Sequence, residues 1–215
     1  AMILGVEDDG VYDFFHEALN FLTTKQAQDV NALVAMALKV GEVNLTVMGM
    51  LDKANTETYG HPEPTKVNLG VEEGPAILIS GHDLRDLYDL LEQTRGTGVK
   101  VYTHGEMLPA NAYPAFKKYD NLVGNYGGSW WHQASEFEKF NGAILMTTNC
   151  LIPPRDSYLD RLYTTGVVQW PGVPHIPDRV DNKPKDFSAV IARALECPSP
   201  EQLEEGSITV GFAHE

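Results

Sequence analysis

Cysteine is scarce in this 215-residue chain: Cys150 and Cys197 are the only two. That is too few for a disulfide framework and fits a reducing cytoplasm better than secretion. Basic runs are missing too. Lys and Arg number 16 against 30 Asp and Glu, for a formal charge of −14, and a chain so acidic would repel a phosphate backbone, which sets nucleic acid aside. Uninterrupted apolar runs fall short of the roughly 18 residues a membrane span needs, and the start shows no basic-then-apolar leader with a cleavage site. A soluble protein with no membrane partner is expected. Also absent are the Gly-x-Ser-x-Gly elbow, the His-Glu-x-x-His helix and the Gly-x-Gly-x-x-Gly loop. Nucleophilic-hydrolase and zinc-protease chemistry would therefore need unmarked residues, and a phosphate-binding loop at Gly127-Gly128-Ser129 lacks its pattern.

The apolar residues that are present keep two rhythms. Up to about residue 58, Phe14, Phe15, Ala18, Leu19 and Leu22, then Val30, Leu33, Val34, Ala37 and Leu38, and then Val43, Val47, Met50, Leu51 and Ala54 recur at three- and four-residue steps. The pattern predicts a helical hairpin or part of a bundle. Thr23 with Gln26 has the spacing of a capping box that would start the second helix, and Gly41 separates the second stripe from the third. Gly60, Pro62 and Pro64 then punctuate the chain and suggest a boundary.

Beyond the boundary, β-rich runs alternate with helical ones. Strands are predicted at 67–71, 76–80, 99–103, 122–125 and 143–147, with helices at 83–94, near 112–118 and near 187–195. This alternation predicts an α/β fold with a mostly parallel sheet flanked by helices. The proline-rich stretch 171–184 is expected to be an ordered surface connection. The last run, Gly206 onward, reads as a strand with no helix after it. Because a parallel strand needs a covering crossover, the chain is expected to be a fragment.

Three of the predicted strands end on a metal-capable side chain: Ile-Leu-Ile-Ser-Gly-His82, Val-Tyr-Thr-His-Gly-Glu106 and Ile-Leu-Met-Thr-Thr-Asn-Cys150. Side chains at the carboxyl ends of neighbouring parallel strands share one crevice, so an imidazole, a carboxylate and a thiol can meet there as ligands of a redox metal. Each also has a plain reading. His82 can be a polar turn residue, Glu106 the acidic start of a helix, and Cys150 a small buried hydrophobe; the coincidence of all three at one sheet end favours a site. A single zinc with one open position is the runner-up. His104, two residues from Glu106 on the same strand face, is a candidate partner behind a ligand. Cys197 is read as structural, and Gly127-Gly128-Ser129-Trp130-Trp131 as a turn with an aromatic packing surface.

The runs Gly81-His-Asp-Leu, Tyr102-Thr-His-Gly-Glu-Met-Leu-Pro-Ala-Asn111, Gly124-Asn-Tyr-Gly-Gly-Ser-Trp-Trp131 and Thr147-Thr-Asn-Cys150 resemble the hybrid cluster protein family, also called prismane or hydroxylamine reductase. The likeness extends to Leu51-Asp-Lys-Ala-Asn-Thr, Tyr158-Leu-Asp-Arg-Leu-Tyr-Thr-Thr-Gly166 and Gly211-Phe-Ala-His214. It implies a helical region followed by Rossmann-like α/β domains. Residues 1–58 would be the end of the helical region, 59–200 a domain carrying part of a cluster site, and 201–215 the opening strand of a further domain.

The resemblance also implies a hybrid iron–sulfur–oxygen cluster of the four-iron type, with His82, Glu106 and Cys150 among its ligands and His82 and Glu106 in catalytic roles. A second iron–sulfur cluster would be bound outside this chain. The implied reaction reduces hydroxylamine to ammonia and water with electrons from a small redox partner in the cytoplasm, nitric oxide being an alternative substrate. The N-terminal cysteines and the later cysteines, glutamate and lysine of the family pattern are missing, so the chain by itself is expected to be cluster-poor and nearly inactive. A carbon monoxide dehydrogenase-like metalloenzyme is the competing enzyme reading, against which Glu106 argues. A metal-free scaffold domain is the non-enzymatic one.

Overall fold

A computed structural model describes residues 1–213, which form two compact units, Ala1–Gly60 and the described residues from His61 onward. The end of the Gly211–His214 run lies outside the described residues. In the first unit, helix α1 spans Asp9–Phe21 and is capped by Asp8, whose carboxylate accepts the Val11 N–H. The second helix does not begin at a Thr23 capping box. Thr23 Oγ1 instead donates back to Asn20 O at 2.8 Å, a short 3-10 turn follows at Lys25–Gln28, and α2 starts at Val30 under an Asp29 cap that accepts the Ala32 N–H at 2.8 Å.

Helix α2 then runs unbroken to Tyr59, joining the two helices read from the second and third stripes. A mid-helix glycine such as Gly41 costs only about 1 kcal/mol relative to alanine, too little to stop a helix that meets no proline. This continuity corrects a second reading: α2 contains a stretch long and apolar enough, by length and composition, to cross a membrane, with a mean hydropathy of 1.4. Counting uninterrupted apolar residues missed it because polar positions are spaced along the helix. Lys39 lies within α2 and pairs with Glu17 of α1 at 2.6 Å. A charge at that depth would be costly in lipid.

The second unit is built on strands. Strand β1 is Thr65–Asn68, β2 Ala76–Ser80, β3 Lys100–His104, β4 Leu122–Asn125, β5 Ala143–Met146, β6 Leu162–Thr165, β7 His175–Ile176 and β8 Ser207–Val210. Six of them form one parallel sheet in the order β4-β3-β2-β5-β6-β7, flanked by helices, as the alternating pattern predicts. Ala76, Ile77, Leu78 and Ile79 of β2 are wholly buried, which is why that run is continuously apolar rather than alternating. The first predicted strand does not join this sheet. β1 pairs antiparallel with β8, Thr65 facing Val210 and Asn68 facing Ser207.

Helix α3, Leu84–Thr94, is capped by Asp83 through the Asp86 N–H at 2.9 Å. The helix expected near 112–118 is two 3-10 segments, Gly105–Ala112 and Pro114–Phe116, because Pro109 and Pro114 withdraw the amide donors an α-helix would use. Four elements went unread in the sequence: α4 at Gln133–Phe140, the single turn α5 at Asp156–Leu159, β6 at Leu162–Thr165, and β7 inside the proline-rich connection. The last helix is α6, Ser188–Glu196.

A buried ion network pins that connection to α3. Arg179 reaches Asp86 at 2.6 Å and Asp89 at 2.8 Å, while Lys185 reaches Asp86 at 3.0 Å and Thr165 Oγ1 at 2.9 Å. Burial, and after it the Asp83 charge, hold the Asp86 carboxyl above its ordinary range against the opposing pull of Lys185 and Arg179. A carboxylate this deep is tolerable because two cations and their hydrogen bonds accompany it.

Candidate metal centre

The chain leaves β4 on one side of β2 and returns as β5 on the other, so the crevice at the carboxyl ends of β3, β2 and β5 is the topological switch point of the sheet. His82 lies two residues beyond β2, Glu106 two beyond β3 and Cys150 four beyond β5. One ligand atom from each, an imidazole nitrogen, a carboxylate oxygen and the thiol sulfur, lies within 4.8 Å of the other two.

Several local devices hold these turns. Gly81 has φ +113, and a Cβ there would sit 2.4 Å from Thr147 Oγ1 and 2.9 Å from the Thr148 backbone nitrogen. Only glycine lets the turns after β2 and β5 nest so closely. Thr148 Oγ1 then meets both the His82 backbone N–H and His82 Nδ1, each at 2.9 Å. With Nδ1 engaged, Nε2 is left to face Glu106 Oε2, and these two atoms are hydrogen-bonded. Cys150 Sγ stands 3.9 Å from the same carboxylate oxygen. Cys150 itself has φ +75, a backbone state that costs a non-glycine residue about 1–3 kcal/mol and persists only when neighbours enforce it.

Burial, and after it the Glu106 carboxylate, push the Cys150 thiol above its ordinary pKa. His82 and Glu106 remain substantially open, with side-chain exposures of 42% and 57%. A cleft of about 470 Å³ adjoins Glu106, walled by Gly105, Leu108, Gly128, Trp130, Trp131 and Ile208. The Trp130–Trp131 surface read as packing is therefore half open to this cleft. Three lone-pair donors of nitrogen, oxygen and sulfur type aimed at one point suit a metal, and among the described residues no Lys or Arg forms an ion pair with Glu106. The arrangement fits part of a mixed-ligand cluster but lacks the number of thiolates a four-iron centre takes.

His104 does not contact Glu106. It is wholly buried, with Nδ1 3.1 Å from Ser80 Oγ and Nε2 2.9 Å from Glu136 Oε2. The sequence reading of His104 as a residue behind the site missed its true partner, because Glu136 lies on the unforeseen helix α4. Cys197 is half-buried beside Arg161 and Arg193, away from the three donors.

Fold and site together define an α/β domain with three metal-capable side chains at its strand ends. The model of the Prismane/CO dehydrogenase family matches residues 1–209, and the chain belongs to that family. It is 60% identical over 214 residues to a hydroxylamine reductase of Natranaerobius thermophilus, 63% over 214 to one of Halothermothrix orenii and 59% over 215 to one of Methanosarcina mazei. Each match takes in 100% of this chain but only 38%, 38% and 39% of the relative, so the chain spans well under half the length of these curated relatives.

Proposed function

We propose that this chain is the segment of a hydroxylamine reductase that supplies His82, Glu106 and Cys150 to a hybrid iron–sulfur–oxygen cluster. The observation that carries the reading is the meeting of the three donor atoms within 4.8 Å at the switch point of the sheet. Cys150 would hold an iron through thiolate sulfur, and His82 Nε2 and Glu106 would hold irons with more oxygen character. Bound there, the cluster would supply electrons and an exchangeable coordination position. Further ligands and a second iron–sulfur cluster come, on this reading, from parts of the longer protein outside this chain.

The reaction takes two electrons and two protons to split the nitrogen–oxygen bond of hydroxylamine, giving ammonia and water, with a small redox carrier as the electron source. The chain's own residues contribute position. The cleft beside Glu106 admits a molecule far smaller than its roughly 470 Å³. Glu106 lines that cleft, and its Oε2 is hydrogen-bonded to His82 Nε2, a contact the two groups would exchange for iron on binding the cluster. Thr148 keeps the imidazole turned toward Glu106. Nitric oxide is the second substrate this pocket suits by size, and a cytoplasmic setting agrees with the two free thiols.

The test uses the full-length protein carrying this segment, purified without oxygen. Iron, acid-labile sulfide and ammonia formation are measured for the parent, Cys150→Ser and Glu106→Gln. The expected result is lost iron for Cys150→Ser and lost turnover for Glu106→Gln. Full iron and unchanged turnover in both would remove the assignment.

A further inference from the structure

Helix α4 places two polar side chains three residues apart, hence on one helix face, and both run inward, Gln133 to the Cys150 turn and Glu136 to the end of β3 and the turn after β4. Gln133 is wholly buried. Its Nε2 donates to Cys150 O, and its Oε1 accepts the Ile152 N–H at 3.3 Å. One amide thus clamps the backbone on both sides of the left-handed Cys150. Glu136 has a side chain 13% exposed. Its Oε2 accepts from His104 Nε2 at 2.9 Å, and its Oε1 accepts the Gly128 N–H at 3.0 Å.

The carboxylate fixes the His104 tautomer, because a neutral ring donating from Nε2 must accept at Nδ1, where the Ser80 hydroxyl lies 3.1 Å away. Ser80 and His104 are the last residues of β2 and β3, each two positions before a donor. Ser80 O in turn accepts from Thr147 N and Thr147 Oγ1, both at 3.0 Å, at the end of β5. A chain of buried hydrogen bonds therefore runs from α4 through all three strand ends. The approach is close: Gly127 has φ +71, and a Cβ there would meet Glu136 Oε2 at 2.6 Å. Phe137, the next residue of α4, packs edge-on against the His104 ring with centroids 5.0 Å apart.

We infer that Gln133 and Glu136 are positioning residues that hold the Cys150 and Glu106 turns in register for metal binding. The inference rests on the reading of His82, Glu106 and Cys150 as a metal-binding set. Core packing alone would be met by Phe137 and Phe140, both wholly buried on the same helix; it gives no reason for a buried amide to end on the backbone of the Cys150 turn and a nearly buried carboxylate on the His104 ring and the Gly128 N–H. Such outer partners, when removed, typically cost a metal site about 10–100-fold in affinity.

The experiment titrates the anaerobic 215-residue chain with Co(II) alone, following the thiolate-to-cobalt charge-transfer band. Parent, Gln133→Ala, Glu136→Ala, Glu136→Gln, His82→Ala and the exposed-face control Glu138→Ala are compared, each with a thermal melt. Gln133→Ala and Glu136→Ala are expected to weaken cobalt binding by about 10–100-fold and to shift the band. Glu136→Gln keeps one of the two acceptors and is expected to lose less, while Glu138→Ala matches the parent. Parent-like affinity and band in Gln133→Ala and Glu136→Ala would overturn the inference. Should the alanine variants fail to fold, Glu136→Gln and Gln133→Glu decide by the same two readouts.

Amide hydrogen exchange over residues 104–108, 126–131 and 150–152, measured without metal, separates the two layers of the claim. Equal, weak cobalt binding by parent and His82→Ala refutes the metal reading. In that event faster exchange in those segments of Glu136→Ala and Gln133→Ala supports the positioning role, and parent-like exchange refutes it.

Discussion

Two polar clusters at α3 and its neighbours have opposite construction. Around Asp86 and Asp89, carboxylates are sealed from water and matched by Arg179 and Lys185. Around His82, Glu106 and Cys150, lone-pair groups stand open beside a cleft, and among the described residues no Lys or Arg pairs with them. Internal charge balance makes the first a fastener. The side chains of the second are held, among the described residues, only by hydrogen bonds with one another and Thr148, with no cation to balance the carboxylate, which suits the ligand role proposed for them.

Breaking the fastener should give the largest effect. Lys185→Met leaves the buried Asp86 with Arg179 as its one remaining cation and takes the donor from Thr165 Oγ1, and a stability loss of about 3 kcal/mol is expected from denaturant unfolding. Cobalt affinity at the donor cluster should stay near the parent value whenever the variant is folded; a parallel loss would mean that the clusters are one system. Next, Cys150→Ser removes the soft donor and should weaken Co(II) binding by roughly 100-fold, near 2.7 kcal/mol, with little change in the melt. A large loss of stability there instead would make Cys150 a packing residue.

Gly81→Ala forces a Cβ into Thr147 and Thr148 at a positive φ, and about 1–3 kcal/mol of destabilisation is expected with weakened cobalt binding. A neutral melt would contradict the nested turns. The smallest effect is on thiol chemistry. Since burial and Glu106 raise the Cys150 pKa, less thiolate is present at neutral pH than in an exposed cysteine, and alkylation by iodoacetamide should be slow. Glu106→Gln removes the second cause, lowers the pKa and should speed alkylation roughly two- to threefold; no change would mean that burial alone governs the thiol.

Legibility differed by element for physical reasons. Strands β2, β3, β4 and β5 announced themselves as short apolar runs because both sheet faces are covered. Helix α4, Gln-Ala-Ser-Glu-Phe-Glu-Lys-Phe, was unreadable: eight residues give few repeats of a helical period, and two of its inward positions are polar. The break expected at Gly41 failed because a weak propensity yields to a continuing helix, and the helix expected near 112–118 failed because two prolines deny it donors. His104 was suspected of standing behind the site, yet its partner depended on which helix folds over β3.

From composition and periodicity alone follow the acidic character of the chain, the helical opening, the parallel α/β sheet and the three donor types at strand ends, because each is a local property of residue order. Only the tertiary structure decided that those donors share one point, that Thr148 turns the imidazole, and that Gln133 and Glu136 brace the turns. Such contacts join residues tens of positions apart, and which of them form depends on strand order and helix placement rather than on any neighbouring residue.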